Sequence, residues 1–393
     1  MQKKLIALAV ASLASGTALA QSNVTIYGVV DAGYVYSSGS ASKAQGGGTN
    51  TFSGIASGIA AGNRLGFKGE EALGNGLKAV FTLEYGLDID TNNGIGTGGL
   101  NARQQFVGLA SDKLGTVALG RQYAPGFNAA ARNDALDATD MAIQSSLSYL
   151  SGMTITPNSP ARFNNSVTYT SNNYSGLTVS AIYGFGESNL GGYNNTSVYD
   201  NGKAGIGVNY ANGPINFDAV YQSRTNVVLP NANPPPYKAS GSDKSINEWY
   251  LGGSYDFKVV KAFASYQALD NNTGFKANNG NQLEDSKLWT LGVSAPVGPG
   301  TLALSYGKLS LDRKNAPDGD SWGAGTNYTY PLSKRTAVYA GYSYFNNDKY
   351  SIPGQAIIVP IASYANNGTL ENSGIGAAGQ SNYVIGAGLM HSF

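Results

Sequence analysis

From residue 23 to the C-terminus the chain repeats one unit: about ten residues of alternating apolar and polar side chains, then a connection, then another such stretch. Sixteen of these stretches follow one another, from NVTIYGVVDAGYVY at 23–36 to the closing NYVIGAGLMHSF. Their connections alternate in length. Short ones fall at 72–75, 112–114, 172–175, 212–214, 258, 296–299 and 332–333. Long ones occupy 37–60, 89–100, 124–161, 188–202, 225–245, 271–283, 311–319 and 347–381. Tight turns at one end and long loops at the other describe an up-and-down barrel, and strands of this length cross a bilayer when tilted. An even strand number closes the sheet, so no backbone edge is left unsatisfied in lipid. Sixteen strands enclose an aqueous channel, whereas eight would be filled by their own side chains.

The first twenty residues stand apart. Lys3 and Lys4 precede an apolar run from Leu5 to Leu13, and Ala18-Leu19-Ala20 supplies a small-residue cleavage site. That reads as a secretory signal peptide at 1–20, leaving 21–393 as one barrel domain. The chain has no Cys and one His, His391. Disulfides, thiolate chemistry and most transition-metal sites are therefore not expected, and neither is a cofactor. A Ser-His-Asp triad would rest on a histidine beside the C-terminus, so an enzyme is not expected either. A net charge of +1 does not suit a nucleic-acid partner. Only 12% of residues are charged, with 53 Gly and 26 Tyr, and soluble domains carry about twice that charge. A secreted β-sandwich or fibre would fit this composition, but it gives no reason for the two-sided rhythm of the connections.

The alternation also assigns faces. Val24, Ile26, Val30, Tyr34 and Tyr36 share one phase. In NRLGFKGE, Arg64, Lys68 and Glu70 oppose Leu65 and Phe67; in LKAVFTLEY, Leu77, Ala79, Phe81, Leu83 and Tyr85 oppose Lys78, Thr82 and Glu84. In a barrel wall the apolar phase meets lipid and the charged phase lines water, which points Arg64 and Lys68 into the lumen. Arg103 counts in phase with Val107 and Leu109, and Arg121 with Val117 and Leu119. A bare Arg facing lipid at the midplane costs about 2–4 kcal/mol, so an irregularity near Gly120 is expected to turn Arg121 inward. Tyr and Phe recur near strand ends, as in interfacial girdles.

One connection breaks the pattern by its length. Between Arg121 and Arg162 the alternation stops, and Asp134, Asp137 and Asp140 sit three apart in an Ala-rich run. A segment this long between strands is functional, disordered or a small domain of its own. The spacing fits a short helix with its carboxylates on the wet face.

At the level of whole segments the chain resembles the trimeric general porins of Gram-negative outer membranes, in their betaproteobacterial (Neisseria, Burkholderia and Comamonas) branch. The resemblance is carried by VTIYGVVDAG at 24–33, NRLGFKGEEALGNGLKAVFTLE at 63–84, RQQFVGL at 103–109 and GTVALGRQY at 115–123. NNSVTYTS at 164–171, TLGVSAPVGPGTL at 290–302, SKRTAVYAGYSY at 333–344 and the closing strand ending in Phe393 extend it. It implies an all-β fold: a 16-stranded antiparallel transmembrane β-barrel with an inward-folded third long loop. It implies a homotrimer set among outer-membrane lipids and lipopolysaccharide, passing small hydrophilic solutes and ions by diffusion. The constriction would have a basic wall of Arg64, Arg103, Arg121 and Arg162 with Lys68, facing the loop carboxylates Asp134, Asp137 and Asp140. This loop lacks the PEFGG-like turn of the enterobacterial members, so which aspartate faces the arginines stays open. In the last strand, Tyr383, Leu389 and Phe393 share a phase and match the signal read by the outer-membrane assembly machinery. A substrate-selective channel of the same fold, or a secreted β-rich adhesin, remains the alternative.

Overall fold

The computed structural model describes residues 23–40, 49–91, 101–186, 201–225, 227–229, 237–238, 245–272, 285–312, 317–348, 379 and 381–393. The expected signal peptide lies outside them. No helix among them is long and apolar enough to cross a membrane, which leaves open a crossing by strands.

The strands in chain order begin with β1 (Asn23–Ser40), β2 (Thr49–Ser57), β3 (Arg64–Gly74), β4 (Leu77–Gly86), β5 (Asn101–Ser111) and β6 (Gly115–Tyr123). After the long third connection come β7 (Arg162–Thr170), β8 (Leu177–Gly184), β9 (Gly202–Asn212) and β10 (Ile215–Thr225). A two-residue hairpin, β11 (Val228–Leu229) with β12 (Tyr237–Lys238), stands apart from the main sheet. The wall then continues through β13 (Ser245–Asp256), β14 (Lys261–Asn271), β15 (Asp285–Val297) and β16 (Gly300–Asp312). It ends with β17 (Gly319–Pro331), β18 (Thr336–Asn347) and β19 (Ser381–Ser392).

Seventeen of these strands form one antiparallel sheet, but β2 and β3 are a single stave broken at 58–63. β1 pairs with β3 from Asn23↔Glu70 to Val29↔Arg64, and with β2 from Ala32↔Ser57 to Ser40↔Thr49. The result is a sixteen-stave sheet. It closes where β19 returns to β1, from Val29↔Ser392 to Gly39↔Asn382, and Gly28 and Phe393 exchange backbone hydrogen bonds of 3.1 Å. Part of the first long connection expected at 37–60 is therefore strand. Ser37, Ser38 and Gly39 extend β1 without any apolar alternation that could announce it.

The expected faces are observed. Val24, Ile26, Val107, Leu109, Val117, Leu119, Leu251, Leu291 and Leu304 lie exposed on the outer surface. Phase-opposite residues such as Asp31, Glu84, Asp218, Gln222, Glu248 and Gln267 point inward and are buried. A closed sheet whose outer face is apolar can stand in lipid because every ladder hydrogen bond is made within the wall. Short turns collect at one end. Between β3 and β4, Asn75 and Gly76 take φ of 53° and 75°, the left-handed pair that a two-residue hairpin demands.

Candidate pore constriction

The third long connection leaves β6 through α1 (Pro125–Arg132) and returns to β7 through α2 (Ile143–Leu150) and a 3-10 turn at Ser159–Ala161. Pro125 starts α1 where its missing N–H costs nothing, and an alanine run continues it. The segment then meets staves on opposite sides of the closed sheet, so it runs through the interior. Pro125 packs on Gly207 of β9. Ala135 lies over Gly292 of β15, Leu136 over Gly325 of β17, Ile143 over Gly307 and Gly323, and Met141 over Gly341 and Gly386. At each of these glycines an added Cβ would stand 2.5–3.2 Å from the loop atom. The inner wall is thus stripped of side chains along the path of the loop, and α2 buries Ile143 and Leu147 against Leu288, Leu309 and Phe345.

Inward carboxylates and amides pin the rest. Asp218 accepts from Arg132 at 2.5 Å and from Asn133 at 2.8 Å, fixing the end of α1. Glu248 accepts from Thr154 N at 2.7 Å, Thr154 Oγ1 at 2.8 Å and Ile155 N at 3.0 Å, and Gln222 accepts from Gly126 N at 2.8 Å. At the far tip, Asp140 N donates to Ile59 O at 2.9 Å and Ser343 Oγ to Met141 O at 2.5 Å. Hydrogen bonds to a buried charge contribute about 1.5–3 kcal/mol each. Glu248→Ala is therefore expected to loosen the returning limb. Single-channel records should then show open-state flicker absent from the unaltered protein, and a trace as quiet as the parent's would remove Glu248 from this role.

On the inner face of β3 to β6 the wall carries a cluster centred on Glu84 of β4, which is 4% exposed. Its Oε1 accepts Arg103 Nε at 2.8 Å and Tyr123 Oη at 2.9 Å, and its Oε2 accepts Tyr27 Oη at 3.0 Å. Arg64 stands beside it in the inward phase of β3, with its Nε on Gly62 O at 3.0 Å. Lys68 reaches over the Tyr27 ring, 5.4 Å from its centroid. Arg162 lies 5.8 Å from the Tyr123 centroid and 5.9 Å from that of Phe127. Four of the five predicted basic residues are thus brought to one part of the wall.

Arg103 gets there by an irregularity. Glu84 pairs with Gln104 but Tyr85 with Ala102, so Arg103 is the extra residue of a bulge that turns it from the lipid phase to the lumen. Arg121 is placed otherwise. It sits opposite Gln105, continuing the outward pairs Val107↔Leu119 and Leu109↔Val117. The register does shift between Gly120 and Gln122, but on the side of β7. Its guanidinium binds Ala102 O at 2.8 Å, Arg162 O at 3.3 Å and the Asn164 side chain.

The three aspartates do not form a row. Asp134 is 3% exposed behind the loop, with Oδ1 accepting Leu136 N, and burial pushes its carboxyl up to about 7. Because that folded-state value lies above the unfolded one, Asp134 favours the seated loop at acid pH and opposes it as pH rises through about 7. Asp137 is exposed, at a tip turn with φ of 56°. Asp140 is half-buried. Burial and the charge of Asp31 hold its carboxyl well above the usual range, and Arg103 opposes them. The carboxylate that binds Arg103 is Glu84 of the wall.

Tyr27, Glu84 and Tyr123 were not singled out from the sequence, although Glu84 lies in the polar phase of its strand. Among the described residues no group of three or more His, Cys, Asp or Glu could hold a metal ion.

Comparison with known proteins decides the family. Residues 7–350 match the model of the Gram-negative porin family. The chain belongs to that family. An outer membrane porin of Delftia acidovorans is 30% identical over the full length of both chains, and one of Bordetella pertussis is 29% identical over 88% of this chain and 95% of its own. Among solved structures, an anion-selective porin from Comamonas acidovorans superposes with a TM-score of 0.71 at 26% identity, covering 95% of this chain and all of its own. OmpT of Vibrio cholerae shares the fold at 16% identity and a TM-score of 0.59, over 95% of this chain and 99% of its own. This porin is thus an outer-membrane β-barrel channel of the general diffusion type, and its family and structural neighbours are channels.

Proposed function

We propose that residues 124–161 narrow this porin to a constriction with the cationic wall around Arg64 and Lys68 on one side and the loop tip at Asp137 on the other. Ions and small hydrophilic solutes pass by size and by their fit to the transverse field, with no reaction and no cofactor. The observation that carries this is the loop's glycine-lined seat inside the barrel, together with the Glu84 cluster on the inner wall of β4, β5 and β6. Glu84 neutralises Arg103, while Arg64, Lys68 and Arg162 add positive charge and Asp134 is buried, so the balance leans to anions. The anion-selective relative from Comamonas acidovorans supports that lean.

The test is reversal potential in planar bilayers under a salt gradient. The parent should favour chloride over potassium, Asp137→Asn should raise that preference, and Asp134→Asn should leave it where it was. Equal effects of the two substitutions would contradict the placement of the loop.

The outer surface supports a homotrimer. An aromatic girdle runs over β15 to β19 and β1: Trp289, Tyr306, Trp322 and Tyr344 follow one another at 5.4, 5.9 and 5.4 Å, and Tyr342, Tyr383 and Tyr36 continue it at 6.2 and 6.1 Å. Girdles of this kind mark the side that meets outer-membrane lipid and lipopolysaccharide. On β5 and β6 the outward pair Gln105↔Arg121 is polar, which suits contact with a second copy of the chain. Tyr383, Leu389 and Phe393 share the outer phase of the last strand, where the assembly machinery can read them.

A further inference from the structure

The wall around Glu84 is laid with ring faces as well as charges. Tyr27 lies flat over Gly66, where a Cβ would fall 2.3 Å from its Cζ, and Lys68 Nζ reaches over the ring, 5.4 Å from its centroid. Its hydroxyl is fixed on Glu84, as is that of Tyr123. Tyr123 in turn stacks on Phe127 of α1, with centroids 3.8 Å apart and planes 4° from parallel. Arg162 is nearly equidistant from both rings, which puts it beside the stack rather than over an outer face. One buried carboxylate therefore orients both tyrosine rings, and Arg64 and Lys68 stand next to them.

We infer that this wall is a subsite for aromatic carboxylates, the solute ring resting on Phe127 or on Tyr27, where it takes the place of the Lys68 side chain, while its carboxylate meets Arg64 and the displaced Lys68 ammonium. The inference rests on the channel reading above and names the solute class that the constriction retains longest. An aliphatic anion of equal charge gains only the Coulomb attraction. An aromatic one adds a ring pair whose geometry is already fixed, which is worth about threefold to tenfold in affinity.

The test measures block of single-channel chloride current in planar bilayers by benzoate and by cyclohexanecarboxylate, acids of the same charge and nearly the same size. Benzoate should half-block at a concentration about threefold to tenfold lower. Tyr27→Leu and Phe127→Leu should each reduce that preference, and Phe127→Trp, which keeps a ring face, should retain it. Equal block by both acids in the unaltered channel overturns the subsite and leaves the channel reading standing. So does a preference that survives Tyr27→Leu and Phe127→Leu combined. A chain that passes no chloride overturns the channel reading itself.

Discussion

Replacing Gly292 by Val should lower the single-channel conductance substantially, and adding Ala135→Gly should restore most of it. The wall at Gly292 is backbone, and the Ala135 Cβ already occupies the place where a Cβ on residue 292 would stand, 2.5 Å away. Overpacking on this scale costs about 1–3 kcal/mol, and the weaker partner yields. The wall is held on both sides by continuous ladders from β14 and β16, whereas the loop crosses on side-chain contacts and a few hydrogen bonds. The loop therefore moves away from the wall, toward the open lumen. Gly341→Leu with Met141→Ala repeats the test at the other end of the seat, where the flexible Met141 side chain lies 2.6 Å from the added Cβ. Unchanged conductance in both single variants would mean that the glycine-lined wall does not set the width of the channel.

Neutralising Arg64 and Lys68 together should turn the preference of the channel from chloride toward potassium. A unit charge about 5 Å from a passing ion contributes about 0.8 kcal/mol even at the dielectric constant of water, roughly fourfold in local anion concentration. At moderate salt the effect is confined to the neighbourhood of the charges, which is the constriction proposed above. Arg64→Gln with Lys68→Gln is therefore expected to move the reversal potential far more than Arg121→Gln. Arg121 sits in the outward phase, on the carbonyls of Ala102 and Arg162. Equal shifts from the two sets of substitutions would place Arg121 in the lumen and remove the distinction drawn here. The measurement is best made at low ionic strength, where the difference is largest.

The wall was legible because strand alternation is a local property: Arg64 and Lys68 oppose Leu65 and Phe67 within a few residues, and the structure keeps them so. Alternation did not show Arg103, which only the family resemblance put in the wall, because its inward turn depends on a bulge in the pairing of β4 with β5. Asp134, Asp137 and Asp140 look equivalent in sequence, at a spacing that suits one helix face. The structure ends α1 at Arg132 and starts α2 at Ile143, so the three fall in the irregular crossing between them. Their exposures are then set by the path of the loop. The seat was silent for another reason. Gly292, Gly307, Gly325, Gly341 and Gly386 occupy inward positions on five consecutive strands, and only the register of their pairing and the inward path of the loop bring them under one segment. Glu84 was visible as a charge in the inward phase. Its three partners come from β1, β5 and β6, which the sequence places far apart.

The interior course of residues 124–161 is the claim on which the rest depends, and a single cysteine tests it. The chain has none of its own, so Asp137→Cys gives a thiol-directed reagent one site, on a side chain that is already exposed. With the loop inside the barrel, a charged methanethiosulfonate added to the open channel should cut its conductance. Reagents of opposite charge should then shift the reversal potential in opposite directions. Complete labelling with no change in conductance or selectivity would put the loop outside the conducting path and contradict the account.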